Sequence, residues 1–293
     1  MTTRRDFIKT TTALSAGLLL TRSGCNSKNN TIGLQLYTVR DAMSKDPKDT
    51  LSKVAALGYN SVEIATYTGT QKFYGMTPAE FADTLKQNGL IAPSGHYLRG
   101  EVQQGGKSTP GTVLNGWDKA VHDAAAAGIK YMVCAFLFPA ERGDLDHYKK
   151  VADDLNKAGE TCKKSDIQLC YHNHDFEFEK QEGQYPYDIL LNTDPNLVKM
   201  EIDLYWLTKA GQDPVALIRQ HPGRFPLWHV KDMDNTNEKA FTEVGNGVID
   251  FKRIFDVRDT AGLKYYFVEQ DKTPGSPFDS IKKSIENIKT TFG

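Results

Sequence analysis

Cysteine is scarce here, with four in 293 residues and none at a metal-type spacing. Neither a disulfide framework nor a cysteine-based metal site therefore organises the chain. Cys134, Cys162 and Cys170 fall in apolar or helical contexts and read as buried free thiols. A surplus of charge is missing too: 36 Lys and Arg stand against 37 Asp and Glu, a formal net of −1. That balance gives no reason to expect nucleic acid or an acidic surface as partner. No GxGxxG run follows the first apolar stretch, which counts against a dinucleotide fold. The apolar (39%), aromatic (10%) and charged (25%) fractions are those of an ordinary globular protein, so readings as a disordered or membrane protein lose weight.

What is present is a repeated signature. Residues 167–177 read Ile-Gln-Leu-Cys-Tyr-His-Asn-His-Asp-Phe-Glu, an alternating apolar strand that turns abruptly polar. Side chains two apart on a strand share a face, so His172 and His174 point the same way. Met-Glu-Ile-Asp at 200–203, His-Val-Lys-Asp at 229–232 and Val-Glu-Gln-Asp at 268–271 repeat the pattern. Strands that end alike aim at one place.

The order of elements says where. Strands are expected at 31–38, 60–65, 91–96, 131–137, 167–172, 198–205, 225–231 and 264–269. Helices are expected at 49–57, 77–88, 115–127, 145–164, 186–192, 214–220, 251–261 and 278–290, three of them closed by Gly58, Gly89 and Gly128. Eight strand–helix alternations within about 250 residues favour an α/β fold of the (β/α)₈ TIM barrel type over an open sheet. This single barrel domain is placed at 31–293, after a linker at 26–30. Residues 98–114, rich in glycine, interrupt the alternation after the third strand and read either as a lid over a site or as a plain surface loop.

Residues 1–25 read as a targeting segment. Thr3-Arg4-Arg5-Asp6-Phe7-Ile8-Lys9 and the mild apolar run through Leu18, Leu19 and Leu20 resemble a twin-arginine export signal. The run is too short to span a bilayer permanently. Ser23-Gly24-Cys25 resembles a lipoprotein cleavage site with a lipid anchor at Cys25, although Arg22 departs from that pattern. The expected location is periplasmic or anchored at the outer membrane. Loss of residues 1–24 removes four positive charges and one negative one, taking the net from −1 to about −4.

In a barrel, the strand ends Glu63, His96, His172, His174, Asp203, His229, Lys231 and Glu269 converge on one mouth. Each alone has a bland explanation as a solvated carboxylate or a hydrogen-bonded imidazole. Together they suit one divalent ion such as Mn²⁺, Co²⁺, Mg²⁺ or Zn²⁺. Lys231 is placed either to neutralise a developing enolate oxygen or to pair with Glu201 or another barrel carboxylate. Trp206 and Tyr205 are able to stack on a sugar face, and core packing is their commoner job.

The segments Gly58-Tyr59-Asn60-Ser61-Val62-Glu63-Ile64, Ser94-Gly95-His96, Glu201-Ile202-Asp203, His229-Val230-Lys231-Asp232 and Phe267-Val268-Glu269 resemble the xylose isomerase-like barrel superfamily of sugar phosphate isomerases and epimerases. The resemblance spans nearly all of 31–291. It implies one divalent metal held by Asp203, His229 and Glu269, with His172 in a slot that usually carries a glutamate. The His-x-His form is similar to the inosose dehydratase branch and to enzymes acting on 3-keto-glucosides. It further implies Glu269 and His172 as proton-transfer groups, with Lys231 beside them. Glu63, His96, His174 and Trp206 are then left to bind substrate.

The expected activity is metal-dependent isomerisation or epimerisation of a keto-sugar by proton abstraction beside its carbonyl. A lyase acting on a 3-keto-glycoside or inosose is the alternative, and a non-catalytic sugar-binding barrel is a remote one. A three-zinc DNA-repair endonuclease of the same barrel type would need a basic surface for phosphates. The expected small-molecule partner is thus a non-phosphorylated keto-sugar or keto-glycoside. Gly245-Asn246-Gly247 is only a weak candidate for a phosphate cradle.

Overall fold

A computed structural model describes residues 31–100 and 109–291. Eight parallel strands close into a barrel: β1 (Gly33–Gln35), β2 (Ser61–Ile64), β3 (Ile91–Tyr97), β4 (Tyr131–Cys134), β5 (Gln168–His172), β6 (Val198–Asp203), β7 (Leu227–Val230) and β8 (Tyr265–Val268). Each pairs with its sequence neighbours, and β8 pairs with β1 to shut the ring. The expected (β/α)₈ architecture is the observed one.

The helices start where local chemistry demands it. Asp46 and Thr77 cap the helices Pro47–Ala56 and Pro78–Gln87, and Asp213 caps Pro214–Gln220; each accepts a backbone N–H of the first turn, with proline as the first helical residue. The helix Leu145–Lys163 buries Tyr148, Val151, Ala152, Leu155, Ala158 and Cys162, an apolar stripe with helical spacing that lies against the outside of the barrel. Inside the barrel, Val133, Cys170, Leu227 and Phe267 form a dry floor. Two residues further along β5 and β7 come His172 and His229, and Glu269 follows Phe267 by the same step. The period of two therefore lifts a polar layer directly onto an apolar one.

Several expectations change in detail. The first strand stops at Gln35 and continues as a 3₁₀ turn, Leu36–Val39. The sixth stops at Asp203 rather than reaching Tyr205, because Asp203 caps a helix, Leu204–Lys209. The segment 251–261 is two short helices, Phe251–Phe255 and Arg258–Ala261. A ribbon of Asp232–Met233 paired with Phe241–Thr242 follows β7. Of the loop 98–114, residues 101–108 lie outside the described residues. Its base is tied down where Val113 and Leu114 donate to the carbonyls of Leu98 and Arg99. Cys134, Cys162 and Cys170 are buried free thiols, with Cys134 and Cys162 pushed up to about 12 by burial. The segments 1–25 and 26–30 and Cys25 also lie outside the described residues. Among the described residues, no helix is long and apolar enough to cross a membrane.

Candidate metal centre

Strand register builds the site. In the parallel ladder Gln35 stands beside Glu63 and Glu63 beside Ser94, while His172 stands beside Glu201 and Asp203 beside His229. All but Ser94, in the middle of β3, lie toward the C-terminal ends of their strands, and the chain just beyond β7 and β8 adds Lys231, Glu269 and Asp271. Glu63, Glu201, Asp203 and His229 are 0% exposed.

Two sets of side chains bring ligand atoms within 4.8 Å of one another: His96, His172, Glu201 and His229, and Asp203, His229 and Glu269. His229 belongs to both, through opposite nitrogens. Its Nδ1 lies 2.6 Å from Glu269 Oε2 and 3.9 Å from Asp203 Oδ2, and its Nε2 lies 2.5 Å from Glu63 Oε2.

Ligands of a tetrahedral ion about 2.1 Å away sit roughly 3.4 Å apart. Around Glu201 Oε2 the nitrogens of His96, His172 and His229 stand at 2.8, 3.0 and 3.2 Å, which are hydrogen-bond separations. In the other set His229 Nδ1 and Glu269 Oε2 are likewise at a hydrogen-bond separation, 2.6 Å, while Asp203 Oδ2 lies 3.9 Å from that nitrogen. His172 Nε2 stands 3.6 Å from Asp203 Oδ2, a buried oxygen whose charged neighbour is the Lys231 ammonium at 3.1 Å. Asp203 Oδ2, His229 Nδ1 and Glu269 Oε2 thus form a candidate donor set for a divalent cation, with His172 Nε2 at its edge beside Asp203.

Asp203 is shaped for this. Its Oδ1 caps the following helix by accepting the Trp206 N–H at 2.9 Å, which leaves Oδ2 for the site. Asn173 fixes the backbone, its Oδ1 accepting the Asp203 N–H at 3.0 Å.

The ionisation states follow from burial and neighbours. Burial, then the nearby His229, His174 and His96, holds His172 well below its usual range, so it is neutral and has a lone pair to give. Burial also pushes Asp203 up, to about 6, against the charges of Lys231 and His229. For Glu269 burial is outweighed by Lys231 and then His229, which hold it well below the carboxylate range. Burial opposes the charge on His229 as well, but Glu201, Glu269 and Glu63 keep it protonated; a cation at Nδ1 takes that proton's place.

The Lys231 ammonium lies 3.1 Å from Asp203 Oδ2, 2.8 Å from Glu269 Oε2 and 2.8 Å from Asp271 Oδ1. Among the described residues its carboxylate partners are these three, so of the pairing expected with Glu201 or another barrel carboxylate it is the latter that forms. His174 and Trp206 stand at the rim, both half-buried. Their rings are 5.5 Å apart, His174 is 5.0 Å from the His172 ring, and Nδ1 of His174 and Nε1 of Trp206 have no hydrogen-bond partner. His96 keeps an 11% exposed edge at the site. Glu63 is enclosed beneath His229, its oxygens held by Gln35 and Ser94. Tyr205 is buried with its hydroxyl donating to the Lys239 carbonyl, a packing role. Sequence reading passed over Glu201 as part of the site, along with Gln35, Ser94 and Asp271. The signal for Glu201 was its place two residues before Asp203, on the same strand face.

Over residues 51–291 the chain matches the family described as xylose isomerase-like TIM barrel. Among curated proteins it is similar to the inosose dehydratase of Geobacillus thermodenitrificans, 28% identical over 176 residues, which is 54% of this chain and 57% of that protein. The chain thus spans little more than half the length of this curated relative. Among solved structures it is similar to a sugar phosphate isomerase/epimerase from Parabacteroides distasonis, with 29% identity, a TM-score of 0.74 and coverage of 89% of this chain and 93% of that one. A solved IolI protein with a bound zinc atom shares the fold at 15% identity and a TM-score of 0.68, over 89% of this chain and 96% of its own. A closed eight-stranded barrel with carboxylates and imidazoles at its strand ends, matched over most of its length, places the chain in the xylose isomerase-like TIM barrel family.

Proposed function

We propose that the protein is an exported, divalent-metal-dependent enzyme that moves a proton beside the carbonyl of a non-phosphorylated keto-sugar, as an isomerase or epimerase. The observation that carries this reading is the convergence of Asp203 Oδ2, His229 Nδ1 and Glu269 Oε2 next to the Lys231 ammonium, with His172 Nε2 3.6 Å from Asp203 Oδ2. A divalent ion held there supplies Lewis-acid polarisation of a carbonyl oxygen.

The chain's own groups do the rest. Glu269 is ionised and placed to take the proton from the neighbouring carbon. While Lys231 leans on it, its basicity is low. When Lys231 turns its ammonium toward the oxygen on which charge develops, it stabilises that oxygen and frees Glu269 from its strongest opposing charge. Trp206 and His174, half-buried with their rings 5.5 Å apart and tilted by 38°, are the aromatic groups beside the cluster that a sugar ring would meet.

The loop after β7 supports a substrate without phosphate. Asp232 Oδ2 accepts the N–H groups of Gly245 (2.9 Å) and Gly247 (3.0 Å), and its Oδ1 accepts those of Met233 (2.8 Å) and Ile249 (3.3 Å). The backbone donors that would cradle a phosphate are occupied by the protein's own carboxylate. A Cβ on Gly247 would lie 2.3 Å from Asp232 Oδ1, so glycine is what lets the loop close on it.

Elimination is the second reading, favoured by the dehydratase relatives and by an imidazole on β5. There Glu269 would take the same proton, and His174, beside the His172 ring, would deliver one to the departing oxygen. Export rests on Arg4-Arg5 and the run that follows. Metal analysis of the purified protein tests the central claim: one divalent ion per chain, with activity lost on chelation and restored by adding it back. A protein without metal that keeps full activity rejects it.

A further inference from the structure

We propose that Glu63 and Glu201 are positioning residues that set the tautomers of the two ligating imidazoles. The inference rests on the metal reading above. An imidazole offers a lone pair to a cation only from the nitrogen without a proton, so something must hold the proton on the other one. For His229, Nδ1 faces Asp203 and Glu269, and Nε2 lies 2.5 Å from Glu63 Oε2. For His172, Nε2 faces Asp203, and Nδ1 lies 3.0 Å from Glu201 Oε2. Each ring is thus aimed at the site by a carboxylate directly behind it.

The carboxylates are themselves fixed. Glu63 is fully buried, with the Gln35 amide donating to Oε2 at 2.8 Å and the Ser94 hydroxyl to Oε1 at 2.5 Å. These partners come from the strands on either side of β2, in the same register row, so closing the barrel sets the geometry. His96 joins the pair, its Nε2 lying 2.8 Å from Glu201 and 3.2 Å from Glu63. Fully buried carboxylates are costly unless paired, and here the paired groups are the imidazoles that face the site. Neither glutamate reaches the mouth, so their effect on the reaction passes through His229 and His172. The negative charge behind each ring also makes the ring a stronger donor.

The test uses Co²⁺ as probe, added to metal-stripped full-length protein and followed by its visible absorption. Glu63→Gln and Glu201→Gln keep size and remove the charge. Each is expected to bind Co²⁺ about 10- to 100-fold more weakly, with an altered absorption band, while the melting temperature of the metal-free protein stays near that of the parent. Parental affinity and an unchanged band in both variants overturn the proposal. Should Glu63→Gln fail to fold, Ser94→Ala decides, because it leaves the carboxylate in place and frees its orientation. A loss of about 3- to 10-fold supports the role and no loss overturns it. A parent protein that takes up no Co²⁺ overturns the metal reading itself, which is a different result from a parent that binds while its variants bind equally well.

Discussion

At the scale of single residues, the site depends on side chains whose two polar atoms do different work. Asp203 is the clearest case, with Oδ1 capping a helix and Oδ2 facing the cluster. Asp203→Asn keeps a capping oxygen and removes the charge, so it is expected to abolish tight metal binding with little loss of stability. Asp203→Ala loses the cap as well and should melt lower, by about 1 kcal/mol of stability beyond the asparagine variant. Parallel metal titration and thermal melts check the pair; an asparagine variant that retains full affinity removes Asp203 from the ligand set.

Glu177 makes a pH prediction. Burial pushes its carboxyl from 4.5 up to about 7, and the hydrogen bonds from Tyr171 and the His174 N–H offset this only partly. The fold keeps a proton that the unfolded chain releases, so this contribution is full below about pH 4.5 and is lost as pH rises through 7. Glu177→Gln can still accept from the His174 N–H while donating to the Tyr171 oxygen, and it does not titrate. Between pH 4.5 and 8 its stability relative to the parent should rise by up to about 3 kcal/mol. Denaturant melts at the two pH values measure it, and an unchanged difference refutes it. Asp203, His229 and Glu269 were legible because charged groups ending apolar strands are conspicuous. Glu63 was legible as a strand end but its place behind His229 was not, and Glu201 was passed over, since their partners lie across the barrel and only closure brings them together.

At the scale of elements, period and punctuation carried most of the reading. The helix Pro214–Gln220 agrees end to end with its expected span, because Asp213 and Pro214 fix its start. The strand expected to reach Tyr205 misled, since Leu204, Tyr205 and Trp206 suit a strand as well as a helix. The deciding factor is the Asp203 cap, a tertiary detail of the site. Gly159 is another position where packing overrides propensity. It lies within the helix Leu145–Lys163, where alanine is normally better by about 1 kcal/mol. A Cβ there would lie 2.7 Å from the Leu197 carbonyl oxygen, a backbone atom with little freedom to move. Gly159→Ala should therefore be destabilising by about 1–2 kcal/mol net of the propensity gain. A raised melting temperature would show that the helix can shift away from the chain at Leu197.

At the scale of the whole molecule, the barrel was legible from its alternation, whereas the reaction depends on which proton moves next. Location bears on this. Replacing Arg4 and Arg5 by lysine should trap the protein in the cytoplasm, and a variant still exported in cell fractionation would refute the twin-arginine reading. An enzyme beyond the inner membrane meets free sugars and glycosides more readily than sugar phosphates, in keeping with the loop amides already held by Asp232. Isomerisation and elimination share their first step, removal of the proton beside the carbonyl by Glu269, and they part at the second. If the proton returns to carbon, the sugar stays intact. If a carbon–oxygen bond breaks instead, the oxygen leaves with a proton supplied by His174. Incubating metal-loaded protein with a 3-keto-glucoside in D₂O separates the two. Deuterium at the carbon next to the carbonyl of an intact sugar identifies an isomerase or epimerase. Loss of the aglycone with formation of an unsaturated sugar identifies a lyase. Lys231→Met should slow either course by about 100-fold or more, because both pass through the same developing oxyanion. Activity confined to sugar phosphates would overturn the substrate class while leaving the barrel and the proposed metal site untouched.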